Sequence, residues 1–569
     1  MSQFKFTELH AISEKPQNDD AAWLIEAERS IKFLKENAQN DEVVIYAIGN
    51  SVLIHGALAL EKNVTTADRW ALQNMRMDVE YCWKIQKSWG GGQGHRIYLE
   101  PPLDGVFKGG EALIYRRRFH GVEEGRAPIE LSQKLVHSLG LYYLPERNAY
   151  CRLDERGDIE DVIRIINKNI SPPFNYLDIV TIKRKDLDTF MALSKTCLVL
   201  KFDFTRVRWG NFAGWGNINR YTKDEGSLFY HGGINGEASY CNGVMIIRPQ
   251  VTVRGLVKAW KDEDNPSKRK YATFKIYDRK NSCNVETSCG PDSLSNYFQE
   301  NKLPWEVSPA FFRAEVLHRF KADPEKYTLD ERSIACRNAW YLKSYDINEA
   351  GQVHVYIGDL AHLPYEEQLY WQAFNEWPKG TISKRAFQTD IVGEWYLSNE
   401  PLLALKHKIS LMDKNPPTWW KPRGTVLSGA VQYPATDSIK EWGDEILALD
   451  QYLVEGFLPK PLSEIAKYEG RIIEPKWGSL RILQEALIAK SATVDEAKML
   501  VQPMQKLHAL RTEVRGHAST EKKKKAILEA RTDHENLRAH FTSLVGQCEA
   551  SFNDILRIFD FKIDDQLFL

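Results

Sequence analysis

An arginine and a histidine six residues apart are the side chains of this sequence best suited to phosphate chemistry. Arg511 and His517 lie in the segment 507–519, where apolar residues recur at helical spacing. A guanidinium is permanently charged and binds a phosphate through two parallel hydrogen bonds. An imidazole exchanges protons near neutral pH, and a positioned acid or base speeds a reaction by about 10²–10⁴. The two residue types therefore predict a site where a cation and an imidazole meet at one phosphate.

The local sequence indicates how the two side chains could reach one another. Arg511 lies between Leu507 and Val514, at the edge of an apolar stripe. Gly516 can end the helix and turn His517 toward the same side. The chemistry requires no metal, and the sequence contains no compact cluster of Asp, Glu and His. We therefore expect no metal and no other cofactor.

The spacing from Arg511 to His517 resembles the R-x4-6-H signature of the HEPN superfamily, small helical-bundle domains common in bacterial toxins and antiviral defence systems. The resemblance covers about the last quarter of the chain. It implies a domain that dimerises and cuts RNA without a metal, in a cleft formed by two Arg/His pairs. By the same resemblance, Arg511 would neutralise the scissile phosphate. His517 would act as general acid or base on the ribose 2′-hydroxyl or the leaving oxygen.

Further basic residues near this pair are candidates for binding nucleic acid. Arg515 lies one helical turn after Arg511, and Lys522 and Lys523 begin a run of four lysines that could steer RNA toward the site. A structural interpretation is also open. Arg511 and Arg515 can form a solvated helix end with His517 placed favourably against the helix dipole, and the lysines can form a solubilising turn.

A second basic cluster lies far from the first. Arg116, Arg117 and Arg118 stand beside Tyr115 and Phe119. Cations next to aromatic rings are typical of surfaces that bind single-stranded nucleic acid. In a strand, however, neighbouring residues face opposite sides, so a solvated edge is the alternative.

Two weaker patterns concern other kinds of site. Asp178 with Lys183 and Lys185 has the residue types of a metal-dependent nuclease, at a spacing of low specificity. The glycine-rich segment 89–94 lacks the Gly-Lys-Ser/Thr ending of a phosphate-binding loop, so we expect a flexible hairpin there.

The apolar periodicity divides the chain into regions of different type. After Thr436, four stretches with apolar residues every three or four positions predict an antiparallel helical bundle. Before it, helical and strand patterns alternate, and a segment with three prolines, 415–422, marks a boundary. The expected fold class is multi-domain α+β. We expect a mixed N-terminal domain at 1–205, a β-rich central domain at 206–420 and an all-α HEPN-like bundle at 436–569.

Composition limits the classes of function. The chain has 569 residues with a formal net charge of −1, so no global basic field attracts nucleic acid or a membrane. The eight cysteines form no CxxC pair, which suits a reducing cytoplasm. We expect no secretory signal, and no membrane partner because no apolar run reaches the ~18 residues of a membrane span.

These observations lead to two functional hypotheses. The first is a bacterial, cytoplasmic endoribonuclease of the antiviral-defence or toxin type. Its N-terminal part would respond to a phage-derived or protein trigger, and its bundle would form a homodimer that cuts RNA. The alternative is a non-catalytic nucleic-acid-binding or scaffolding protein that oligomerises through the helical C-terminal domain.

Overall fold

The structure is a computed structural model. It describes the following residues: 20–49, 51–67, 82–90, 92, 94–103, 107–117, 127–169, 176–207, 218–235, 238–263, 265, 268–330, 332–394, 401–515, 520–534 and 536–561. The chain divides into two compact units, the first comprising residues 1–154 and 158–268 and the second comprising residues 155–157 and 269–569.

The first unit is built mainly of antiparallel strands. Its helices are α1 Asp20–Asn37, α2 Gln133–Ser138, α3 Arg184–Ser194 and α4 Val253–Glu263. Its strands are β1 Glu42–Gly49, β2 Val52–Leu60, β3 Lys84–Gly90, β4 Gly94–Glu100, β5 Glu111–Ala112, β6 Ile114–Tyr115, β7 Glu130–Leu131, β8 Tyr142–Leu144, β9 Ala149–Leu153, β10 Ile159–Asn169, β11 Tyr176–Lys183, β12 Thr196–Asp203, β13 Arg206–Val207, β14 Ile218–Asp224, β15 Leu228–Asn235 and β16 Ala238–Ile247.

Twelve of these strands form one sheet in the order β14-β15-β16-β12-β2-β1-β11-β10-β9-β8, with β13 on β16 and β5 on β2. The central strands are nearly continuous runs of Val, Ile, Leu and Ala and are buried on both faces. Helices α1 and α3 contact strands of this sheet. The expected boundary at 205/206 falls inside this sheet, because β12 pairs with β16, whose partner β15 continues it.

Strands β3 and β4 form a separate two-stranded ribbon whose tip is the glycine-rich segment expected to be a hairpin. Nearly all of its described residues are exposed.

The second unit contains a smaller sheet followed by helices. Its strands are β17 Thr273–Asp278, β18 Cys283–Ser288, β19 Pro309–Arg313, β20 Tyr327–Leu329, β21 Ile334–Cys336, β22 Trp340–Leu342, β23 Asp346–Ile347, β24 Gln352–Tyr356 and β25 Asn375–Glu376. Its helices are α5 His318–Ala322, α6 Ile357–Leu360, α7 Tyr365–Phe374, α8 Lys384–Ala386, α9 Pro401–Lys414, α10 Gly424–Ala430, α11 Ile439–Leu453, α12 Pro459–Tyr468, α13 Ser479–Ala489, α14 Val494–Arg515, α15 Thr520–Asp533 and α16 Leu537–Ile558.

The expected fold class is confirmed: sheet dominates the N-terminal and central parts, and the C-terminal part is helical. Helices α11, α13 and α14 match the first three predicted stripes. The fourth stripe is two helices, α15 and α16, and the helical region begins earlier than expected, at α9. Trp420 of the proline-rich segment packs against Phe457 and Phe552 in the bundle core, so this segment belongs to the bundle.

The central sheet and the bundle share one compact unit. The Lys321 ammonium on α5 donates to Glu441 (2.8 Å) and Glu445 (3.2 Å) on α11, and to the carbonyl of Tyr433 (2.7 Å). Among the described residues, no helix combines the length and apolar character needed to cross a membrane.

Candidate functional site

Helix α14 carries the arginine that the sequence singles out. The helix follows a capping box, in which the Thr493 hydroxyl accepts from the Glu496 amide (3.2 Å) and the Glu496 carboxylate accepts from the Thr493 amide (2.8 Å). One stripe of the helix is buried in the bundle core: Ala497, Val501, Met504, Leu507, Leu510 and Val514. Arg511 follows this stripe at its edge and is 32% exposed, as the periodicity predicts.

The Arg511 guanidinium bridges two carboxylates. It lies 3.2 Å from Asp450, near the end of α11, and 3.4 Å from Glu455 in the turn after that helix. Asp450 is completely buried, whereas the Glu455 side chain is 43% exposed. Arg511 thus links α14 to α11 and keeps one edge accessible.

A second nitrogenous side chain meets the same carboxylate. His508 lies three residues before Arg511, and its Nδ1 is 3.0 Å from an Asp450 oxygen. The imidazole is 49% exposed. Because an ionised carboxylate only accepts hydrogen bonds, Nδ1 donates, which leaves Nε2 as the acceptor. Asp450 therefore orients an imidazole and a guanidinium side by side at the bundle surface; we call Asp450, His508, Arg511 and Glu455 the His508 cluster.

Burial controls the charge of the Asp450 carboxyl. Its enclosure raises the pKa above the ordinary value for aspartate, and the nearby Glu455 charge acts in the same direction. The hydrogen bond and charge of His508 and the charge of Arg511 oppose this rise. The hydrogen bond from His508 and the charge of Arg511 thus stabilise an ionised form that burial disfavours.

The His508 cluster has the components of acid–base chemistry on a phosphate. Buried Asp450 fixes the tautomer and direction of the His508 imidazole, as a carboxylate does for a catalytic histidine. The adjacent Arg511 guanidinium can pair with an anion at its exposed edge, in competition with Glu455. In the described part of the chain, no group of three or more His, Cys, Asp or Glu side chains could hold a metal.

The remaining residues predicted near Arg511 are only partly described. His517 lies outside the described residues, and so does the side chain of Arg515, whose backbone ends α14. Lys522 and Lys523 lie on α15, where Lys522 is exposed and Lys523 is half-buried.

The predicted basic cluster in the first unit does not form one surface. Arg116 is buried: it donates to the Ala127 carbonyl and the Tyr46 hydroxyl and lies 3.4 Å from Asp178. Its guanidinium is therefore not available to nucleic acid, which corrects the expectation for this residue. Arg117 is exposed but forms a two-point ion pair with Glu130 (2.7 and 3.1 Å), and Arg118 lies outside the described residues.

The residues of the metal-dependent nuclease pattern are also held apart. Asp178 and Lys183 are five positions apart on β11, so their side chains point to opposite faces. Asp178 is buried against Arg116 and accepts from Asn167, while Lys183 pairs with Glu160 at 2.6 Å. This geometry does not support a shared metal site.

His508 and Asp450 were not among the site residues predicted from the sequence. A signal for His508 was present, because residues three apart on a helix share a face and His508 precedes Arg511 by three. Asp450 gives no such signal, since it lies on another helix and meets α14 only through the packing of the bundle.

Comparison with known proteins identifies no relative. No protein-family model matches the sequence, and neither curated proteins nor solved structures gave a significant match.

Proposed function

We propose that this protein is a metal-independent endoribonuclease whose active site lies on the helical C-terminal part of the chain. The observation that carries the proposal is the shared contact of Asp450 with His508 (3.0 Å) and Arg511 (3.2 Å). This contact holds a proton-transfer group and a phosphate-binding group together, with both part exposed. The HEPN-like spacing of Arg511 and His517 supports the same chemistry from the sequence.

The proposed reaction uses the RNA as its own nucleophile. A histidine removes the proton of the ribose 2′-hydroxyl, and the oxygen attacks the adjacent phosphorus. The P–O bond to the next 5′-oxygen breaks, and a protonated histidine supplies the proton that this oxygen needs. Arg511 stabilises the charge that develops on the phosphate. The products are a 2′,3′-cyclic phosphate and a free 5′-hydroxyl.

Two imidazoles are candidates for the two proton transfers. His517 is assigned by the resemblance, and His508 by its hydrogen bond to buried Asp450. Lys522 and Lys523 on α15 provide positive charge that would attract the RNA backbone. We further propose that the protein acts in a bacterial cytoplasm as a homodimer, in defence or toxicity, when a trigger engages the N-terminal part.

The test is RNA cleavage in EDTA by the full chain and by single variants. We expect His517→Ala, Arg511→Ala and His508→Ala to lower the cleavage rate by about 10²–10⁴, the usual contribution of a positioned acid or base. Gln505→Ala is the matched control, because Gln505 is exposed on α14 one turn before His508. Its rate should equal that of the unmodified protein. Thermal unfolding of each variant separates loss of chemistry from loss of fold.

Three outcomes would contradict all or part of the proposal. Equal cleavage by all variants assigns the activity elsewhere. Absence of cleavage, together with no growth defect on expression that His517→Ala relieves, excludes the nuclease. If His517→Ala is inactive and His508→Ala is fully active, the His508 cluster only supports the bundle, and the resemblance alone locates the chemistry.

A second candidate function has one specific observation in its favour. Arg511 is paired with two carboxylates, Asp450 and Glu455, which neutralise its charge before any phosphate arrives. Such pairing suits a structural role for Arg511, and hence a non-catalytic protein that oligomerises through its helices and either serves as a scaffold or binds nucleic acid through other residues. Affinity for RNA that falls steeply with salt, without turnover, would favour this candidate.

A further inference from the structure

The β3–β4 ribbon presents an apolar face to solvent. Directly opposed residues of an antiparallel pair share a face, and the register opposes Ile85 to Leu99, Lys87 to Ile97 and Trp89 to His95. Ile85, Ile97 and Trp89 are 72%, 70% and 73% exposed, and Leu99 is similarly open. The other face is polar, with Gln86, Ser88, Arg96 and Tyr98. The ribbon is thus amphipathic, and its apolar side is not buried by the described protein.

We do not expect such a ribbon to be stable in isolation. A two-stranded hairpin is marginally stable in water unless its apolar face packs against something. Contiguous exposed apolar side chains also mark interaction surfaces, whereas scattered ones do not. Four large apolar side chains on one face therefore indicate an occupant outside the described chain.

Helix α4 of the same unit has the same character. Val253, Leu256, Val257 and Trp260 recur at three- and four-residue spacing and form one stripe, yet none of the helix residues is buried. Trp260 is 62% exposed. At 100° per residue, the three cations Arg254, Lys258 and Lys261 all fall along one edge of this stripe.

The residue types of the two elements indicate which binding partner covers their apolar faces. Tryptophan and aliphatic side chains on one side, with Lys and Arg beside them, are typical of elements that lie in the headgroup region of a bilayer. Bases of nucleic acid would stack on Trp89, but they offer nothing to the aliphatic pair Ile85 and Leu99.

The position of Lys87 favours a bilayer, rather than a second copy of the chain, as the binding partner of the ribbon. Lys87 stands in the middle of the apolar face, opposite Ile97. Two ribbons packed face to face would bury this charge from both sides, which is costly without a carboxylate partner. On a bilayer, the long side chain of Lys87 can extend to the headgroup phosphates while its methylene groups remain in apolar surroundings.

We propose that the β3–β4 ribbon docks the first unit on an anionic lipid bilayer and that helix α4 is a second lipid-binding element of this unit. Docking of this kind places side chains in the headgroup region and crosses no membrane. The expectation of no membrane partner was based on the lack of a spanning segment, and it does not apply to such a surface. The proposal is independent of RNA cleavage by the second unit.

The experiment is co-sedimentation of the full chain with vesicles of phosphatidylglycerol and phosphatidylcholine, compared with phosphatidylcholine alone. We expect binding to the anionic vesicles only, and weaker binding in high salt, because screening reduces the attraction of the cations. Two variants remove the apolar faces: Ile85→Ser/Trp89→Ser/Ile97→Ser in the ribbon and Val257→Ser/Trp260→Ser in α4. Each should lower the vesicle affinity at least about tenfold.

The control variant is Tyr468→Ser/Leu528→Ser, which removes exposed apolar side chains from the second unit, where 89% and 68% exposure make substitution equally mild. Its vesicle binding should be unchanged. No binding to anionic vesicles, or undiminished binding by both variants, overturns the proposal. So does a change of molecular mass in light scattering or of RNA affinity without a change in vesicle binding, since these outcomes assign the surface to a second copy or to nucleic acid.

Discussion

The two ends of helix α11 carry carboxylates in opposite situations. Near its start, Glu441 and Glu445 enclose the Lys321 ammonium, and the exposed fraction of all three side chains is small. Near its end, Asp450 is just as buried, but its partners His508 and Arg511 are part exposed. The same helix therefore uses one kind of contact to join the central sheet to the bundle and another to orient a histidine and an arginine at the surface.

The hydrogen bonds explain why Glu441 and Asp450 differ, although burial raises the pKa of Glu445 as it raises that of Asp450. Glu441 accepts from Lys321, from the Ala435 amide and from the Thr436 amide and hydroxyl. Burial alone would raise its pKa, but the charge and hydrogen bond of Lys321, with the Thr436 and Ala435 bonds, outweigh burial and lower the pKa to about 2. Asp450 has no comparable set of backbone donors, and burial raises its pKa. A carboxylate with many fixed donors indicates a structural role, whereas one that depends on a part-exposed imidazole and a part-exposed guanidinium can respond to a ligand.

The largest expected effect comes from removing the cation of the enclosed end. Lys321→Met leaves Glu441 and Glu445 buried without the ammonium that pairs with both, and we expect a loss of about 3–5 kcal/mol in the free energy of unfolding at neutral pH. Urea denaturation measures this loss. The control is Lys379→Met, because Lys379 pairs with Glu376 at 2.8 Å but is 62% exposed, and such pairs contribute about 0–1 kcal/mol. Equal effects of the two substitutions would contradict the assigned structural role.

A smaller effect, with a defined pH dependence, is expected for Glu441→Gln. The pKa of Glu441 falls from 4.5 to about 2 on folding, and one unit corresponds to about 1.36 kcal/mol, so the ionised form contributes at most roughly 3 kcal/mol. A lowered folded-state pKa gives stability that is present above pH 4.5 and is lost as the pH falls toward 2. The variant should therefore be less stable than the unmodified protein at pH 7, with a difference that shrinks through pH 5 and pH 3. A difference independent of pH would contradict this explanation.

Helix α11 also shows which features the sequence can predict and which it cannot. Apolar spacing is a local property, so helices α11, α13 and α14 and the position of Arg511 at a stripe edge follow from periodicity. The pairing of Asp450 with His508 does not, because it depends on how α11 packs against α14.

In the first unit, too, local sequence patterns do not predict which distant strands pair. The glycine-rich hairpin follows from composition. Strand β2, however, pairs with β12 across a long stretch of chain, so the expected boundary at 205/206 falls within one sheet. Arg116 illustrates the consequence for sites. Its neighbours in sequence suggest a basic surface, whereas Tyr46 and Asp178, which enclose it, come from distant strands.

The smallest change in stability is expected for Asp450→Asn. This substitution also distinguishes most directly between the roles assigned to Asp450 and Glu441. A raised folded-state pKa gives stability that is full below the unfolded-state value and is lost as the pH rises through the folded-state value. Asparagine does not undergo this loss, so the stability of the variant relative to the unmodified protein should increase from pH 4 to pH 8. The stability difference between variant and unmodified protein therefore changes with pH in the opposite direction to that of Glu441→Gln.

Activity should change in the other direction. An amide can hold the His508 imidazole in the wrong tautomer, so Asp450→Asn should lower RNA cleavage by at least about tenfold while the relative stability of the variant increases from pH 4 to pH 8. Urea midpoints at the two pH values and cleavage in EDTA measure both quantities on one preparation. A variant whose relative stability falls from pH 4 to pH 8 and that is equally active would mean that Asp450 only ties α11 to α14, as Glu441 and Glu445 tie α11 to α5.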